Sequence, residues 1–125
     1  MIVMALMGLL AMLAASGYSG FVQDARRADA VAVMHETRHA LERYYARMYN
    51  YSGAQSGADF PNKSPRDGND AYYLISVEVF NEGQDFLIRA TAQGNQTEDK
   101  CGNLSLTRVG EFKNTGGAES GDCFD

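Results

Sequence analysis

The sequence predicts an α+β protein, with a long N-terminal helical spine laid against a three- or four-stranded antiparallel sheet and a Gly-rich tail between two cysteines. Three observations predict it. Met1 to Val22, MIVMALMGLLAMLAASGYSGFV, carries no charged side chain. From Phe21 to Met48 there is no Gly or Pro, and apolar residues return at steps of three and four, the helical period. Beyond Tyr72 the apolar residues alternate instead, the period of a strand.

The first segment sets the problem. A soluble globular domain does not normally carry an all-round hydrophobic helix at its end, so such a helix must be buried in lipid or among copies of itself. A secretory signal should show a basic start and a small-residue exit, but Met1 is followed at once by apolar residues. A membrane span needs about 20 apolar residues, and the wholly apolar run Met1 to Ala15 is shorter, although the first charge comes only at Asp24. The third reading is an assembly helix, held in a membrane and then packed against identical helices. Gly8, Ala11, Ala14, Ala15, Ser16, Gly17 and Gly20 suit close helix approach.

The second segment is a helix with one apolar face. Ala30, Met34, Thr37, Leu41, Tyr44 and Met48 line it and Tyr45 widens it. Joined to the first, it makes a spine of about 48 residues, on the order of 70 Å at ~1.5 Å per residue. Only its C-terminal half is amphipathic, and that half needs a partner surface in its own chain. The chain therefore divides into residues 1–22, a membrane or filament-core helix, and residues 23–125, a head with its helix over 23–49.

Residues 50–71 read as loop, punctuated by Gly53, Gly57, Pro61, Pro65 and Gly68. The sheet follows over 72–113. In Tyr72 to Phe80, Tyr73, Ile75, Val77 and Val79 point one way. Asn81-Glu82-Gly83-Gln84 reads as a hairpin turn. Asp85 to Gln93 is a second strand with Phe86, Ile88, Ala90 and Ala92 inward, and Asn103 to Val109 a third with Leu104 and Leu106 inward. A short piece, Glu111 to Lys113, pairs with it as a fourth. Cys101 and Cys123 lack the spacing of a zinc site, and in an exported protein they pair, closing the loop 101–123.

Charge narrows the function. The formal net charge is −5, and the acids lie mostly beyond Tyr49. An acidic head does not favour nucleic acid, whose affinity rests on Lys and Arg at phosphates; Lys100, Arg108 and Lys113 are the local exception. His35-Glu36-Thr37-Arg38-His39 fits H-E-x-x-H on a helix, where two His share a zinc and Glu is the general base. These are the only two His in the chain, so no third His is present, and the reading adopted is a helix face turned to solvent or to a neighbour. Asp67-Gly68-Asn69-Asp70 lacks the spacing and terminal Glu of an EF-hand loop and reads as a solvated turn. Asn50, Asn62, Asn95 and Asn103 begin N-x-S/T triplets. No nucleophile with a positioned base and no phosphate-binding Gly loop is visible. The expectation is a protein without enzyme activity, cofactor or metal.

Three stretches together resemble a family. MIVMALMGLLAML is similar to the N-terminal helix of type IV pilins. ARRADAVAVMHETRHALERYYARMYNYSGA resembles the next part of that helix in PilE-like and ComP-like minor pilins. CGNLSLTRVGEFKNTGGAESGDCFD resembles their disulfide-closed C-terminal region, where C-G-x-L-x-L opens the loop (Cys101, Gly102, Leu104, Leu106) and a Cys followed by an aromatic closes it (Cys123, Phe124). The resemblance implies an extracellular helical filament of many identical copies, with Met1, Ile2, Val3, Met4, Leu6, Met7, Gly8, Leu9, Leu10, Met12 and Leu13 in its core. It also implies an inner-membrane pool before assembly, work with a pilus assembly machinery, and then exposure at the cell surface. In pilin-like chains Ser in surface loops is glycosylated, which makes Ser52, Ser56 and Ser64 candidates.

Two departures bear on this reading. The family's mature chain starts a few residues earlier, with an aromatic, a short apolar run and a Glu that meets a neighbour's N-terminal amine, and a basic leader ending in Gly precedes it. The sequence begins where the family often has an internal Met, which reads as a truncated chain or as a start taken at that Met, and the contact is assigned to no residue of this sequence. The second departure is Ser16, where the family usually has Pro. In related filaments the helix unwinds between a Gly, matched by Gly8, and that Pro. Ser16, Gly17 and Gly20 are nonetheless poor helix formers, each Gly costing ~1 kcal/mol relative to Ala. The expectation is a helix broken within Gly8 to Gly20 in the filament and continuous in the monomer. Three functions follow from the resemblance. A structural filament subunit for adhesion, motility or DNA uptake is the reading adopted; a minor pilin that binds a ligand or DNA and a secretion pseudopilin are the alternatives.

Overall fold

The computed structural model describes residues 1–124, apart from the side chains of residues 13–19. A single helix, α1, runs over Ile2–Met48. The helix ends where the chain meets Asn50, Ser52 and Gly53. Tyr49 turns left-handed (φ 58°) and its N–H donates to the Tyr45 carbonyl at 2.7 Å, satisfying one of the carbonyls that a helix end leaves open.

Five strands follow: β1 (Lys63–Ser64), β2 (Tyr73–Phe80), β3 (Asp85–Ala92), β4 (Leu104–Thr107) and β5 (Phe112–Asn114). They pair antiparallel in chain order. A 3-10 turn, Gly94–Glu98, links β3 to β4, and a short helix, α2 (Ser120–Phe124), closes the chain. The sheet is one strand wider than the sequence predicts. The extra strand is β1, two residues inside the stretch read as loop, held to Tyr73 and Leu74 of β2. The last strand is Phe112–Asn114 rather than Glu111 to Lys113, and β4 stops at Thr107. Val109 is therefore left in an exposed turn, where Gly110 supplies φ +93°.

The core lies between the upper half of α1 and the sheet. Ala30, Met34, Thr37 and Leu41 are fully buried, as are Tyr73, Phe86, Ile88, Ala90 and Leu106. The alternation in β2 and β3 put these side chains on one face, and the register pairs Ile75 with Ala90 and Val77 with Ile88. Thr37 is tolerated there because its hydroxyl donates back to the Val33 carbonyl at 2.8 Å. The spacing also put Met48 on this face, but it is 60% exposed; it is the last helical residue. The hairpin turn between β2 and β3 forms as expected, with Asn81, Glu82 and Gly83 all at positive φ. The Gly83 position is filled from outside by the Asn50 side chain, which leaves no room for a Cβ.

Candidate functional site

The first twelve residues of the spine form a stalk whose large apolar side chains are exposed. Met1, Ile2, Val3, Met4, Leu6, Met7, Leu9, Leu10 and Met12 are all exposed, from 55% at Leu6 upward. Phe21 is exposed too. Fully burying one such side chain is worth about 1.5–3 kcal/mol, so the stalk carries a large unmet drive to associate. Nothing lies within 4 Å of the position a Cβ would take at Gly8 or Gly20. At these two points another helix can approach closely. Leu13, Ser16, Gly17 and Tyr18 fall in the stretch 13–19, whose side-chain environment lies outside the described residues. The backbone is helical throughout this stretch. Among the described residues no helix is long and apolar enough to cross a membrane.

The neck, where stalk becomes head, is held by charge. Arg27 donates to both carboxylate oxygens of Asp99 (2.7 and 2.8 Å), to Asp24 (2.8 Å) and to the Cys123 carbonyl (3.1 Å). Burial works to lower its pKa, but the bonds to Asp99 and Asp24 outweigh it and the guanidinium sits above its ordinary value. Gln96 adds a second tie, donating to the Gln23 carbonyl (3.0 Å) and the Tyr73 hydroxyl (2.9 Å). The neck left no trace in the sequence reading. Arg27 and Asp99 are 72 residues apart, and no local pattern marks such a pair. Cys101 and Cys123 are bonded, as the compartment argument and the resemblance expected, with Cα atoms 5.9 Å apart. Arg27 thus binds the same tail segment that the disulfide closes.

The basic residues do not gather where the sequence suggested. Arg108 pairs with Asp85, Lys113 faces Glu111, and Lys100 lines a separate cavity beside Asp24, Arg27 and Asp122. Two adjoining cavities of about 230 and 160 Å³ instead share Gly57, Pro61 and Arg66, and bring Arg43 and Lys63 to one groove between α1 and the loop before β1. Glu36 and Asp59 also line it, and Arg66 pairs with Glu36.

That pairing bears on H-E-x-x-H. Glu36 is tied to Arg66, away from the role of a general base, while His35 and His39 are exposed. Among the described residues no three His, Cys, Asp or Glu side chains group to hold a metal. At Asp67-Gly68-Asn69-Asp70 the Lys63 ammonium donates to the Gly68 carbonyl, which brings a positive charge to the turn. Of the Ser candidates for glycosylation, Ser52 and Ser56 are exposed, but Ser64, in β1, is buried. The Asn50 side chain is committed to the Glu82 carbonyl and the Ser52 amide, and Asn103 accepts from the Ala92 amide. Along the spine, Tyr44 and Tyr51 are buried, Tyr45 packs on Tyr51 at 4.7 Å, and Tyr49 is exposed.

An exposed apolar stalk continuous with a head helix, an antiparallel sheet over that helix, and a disulfide-closed tail define a type IV pilin. Residues 16–105 match a family model described as the type IV minor pilin ComP, DNA uptake sequence receptor, and the chain belongs to that family. A solved type IV pilin from Shewanella oneidensis is 25% identical over 82% of this chain and 98% of its own, with a TM-score of 0.57. The Neisseria meningitidis non-core minor pilin PilV shares the fold, with a TM-score of 0.62 at 15% identity over 85% of this chain and 99% of its own. No curated protein sequence matches. The family and fold are those of structural proteins.

Proposed function

We propose that this chain is a minor pilin, which joins a type IV filament through residues 1–22 and displays residues 23–125 at its surface. The observation that carries this reading is the stalk, nine large apolar side chains exposed on a helix that the head does not cover. In water that surface must be covered, and lipid and neighbouring helices are the two covers available. The chain waits in the inner membrane, then enters the filament among other pilins. The match to a minor-pilin family moves the emphasis from a subunit that makes up the filament to one that is scarce within it. In the free chain α1 is unbroken; packing in the filament opens it within Gly8 to Gly20. Mass spectrometry of sheared, purified filaments tests the reading. The chain is expected at a small share, and its absence would overturn the proposal.

DNA capture is a second reading, favoured by the name of the matched family and by the groove of Arg43, Lys63 and Arg66. The three cations line two adjoining cavities, with Glu36 and Asp59 beside them and Arg66 paired to Glu36. DNA binding followed by fluorescence anisotropy should weaken when all three are changed to Ala. For every phosphate no longer neutralised, the slope of log affinity against log salt should fall by about 0.9. Binding indifferent to the three changes would remove the groove from the account.

A further inference from the structure

We propose that His35 and His39 form a surface clip for one divalent transition-metal ion of the zinc class, with water in the remaining coordination positions. The two residues are four apart on an unbroken helix, so their side chains are neighbours on one face, about 6 Å apart along the axis. Both are exposed, while Met34, Thr37 and Leu41 carry the buried face. The clip therefore opens to solvent. His35 packs in a T-shaped contact with Phe112 (centroids 5.1 Å, 75°), and Phe112 stacks on Phe124 at 4.6 Å. Phe124 follows the disulfide-bonded Cys123, so this contact is fastened to the tail. Arg38, which lies between the two His in sequence, is drawn off, its guanidinium donating to the Arg108 carbonyl at 2.9 Å and lying beside Gly110. Glu36 is held by Arg66.

Imidazole suits Zn, Cu and Ni more than the hard cations. Two ligands and no positioned base make a binding clip rather than a catalytic centre. It is the part of the H-E-x-x-H pattern that the fold leaves usable. The test is isothermal titration of the full chain in detergent micelles with zinc chloride, in a buffer that does not bind the metal. One ion per chain is expected. His35→Ala and His39→Ala should each lose the saturable step, and adding Ala32→His to His39→Ala should restore it through the three-residue spacing. Circular dichroism of each variant reports separately on helix and head. No saturable zinc binding by the unchanged chain, or binding that survives the double change of His35 and His39 to Ala, would overturn the proposal.

Discussion

Arg27 and Asp99 form a two-toothed ion pair that is almost sealed from water, with side-chain exposures of 6% and 2%. It joins the spine at the neck to the turn before the disulfide. A buried pair of this kind has little net effect when both partners become apolar, but breaking it leaves one charge buried and unpaired. Asp99→Ala is therefore expected to cost about 3–5 kcal/mol. Arg27→Leu combined with Asp99→Leu should recover most of that loss. Denaturant titration of these three forms measures both. Equal losses in the single and double variants would show that packing, not charge, holds the neck.

Gly116 is a close-approach position. A Cβ there would run into the Lys100 carbonyl oxygen and the Cys101 backbone, and backbone cannot swing aside as a side chain can. Its N–H donates to the Cys101 carbonyl at 2.9 Å, so the two ends of the tail are zipped by backbone as well as by sulfur. Gly116→Ala should lower the thermal midpoint clearly, while Gly117→Ala, with open space around it, should change it little. Losing the disulfide itself, by changing both Cys to Ser, should cost ~3 kcal/mol in the chain-entropy model. A thiol assay on unfolded, unreduced protein should find no free thiol.

Tyr73 gives the head an alkaline limit. Burial raises its pKa above the ordinary 10.0, against the Gln96 hydrogen bond, which works to lower it. Tyr51 moves the same way, chiefly through burial. The unfolded phenol ionises first, so above pH ~10 the unfolded state holds fewer protons than the native one and stability falls as pH rises. The contribution is intact below that value and lost towards the raised pKa. Tyr73→Phe should flatten the decline seen in denaturant titrations across this range. An unchanged slope would assign the alkaline loss to other groups.

Local periodicity made most of the fold legible. The helix face at Ala30, Met34, Thr37 and Leu41 and the inward sets of β3 and β4 are buried as their spacing required, while in β2 Tyr73 and Ile75 are buried and Val77 and Val79 only partly so. Elements too short to show a period escaped: β1 has two residues and α2 has five. The 3-10 turn at Gly94–Glu98 escaped as well. The stalk was legible because a charge-free run is a one-dimensional signal. The neck was not, because Arg27, Asp99 and Cys123 meet only after the tail folds back. The groove of Arg43, Lys63 and Arg66 depends in the same way on where the loop before β1 comes to rest on α1.

The central claim is that residues 1–22 carry this chain into a filament. Leu9 is exposed on the stalk and makes no part of the head's core. Leu9→Arg would place a charge in lipid or in a dry bundle of helices, at a cost of several kcal/mol, without touching the head. Filaments sheared from cells making either form, quantified by mass spectrometry against the chain remaining in the cells, test this most directly. The account predicts that the unchanged chain is recovered as a minor component, while Leu9→Arg is made at a normal level but missing from the filaments. Recovery of Leu9→Arg at an undiminished share would contradict it.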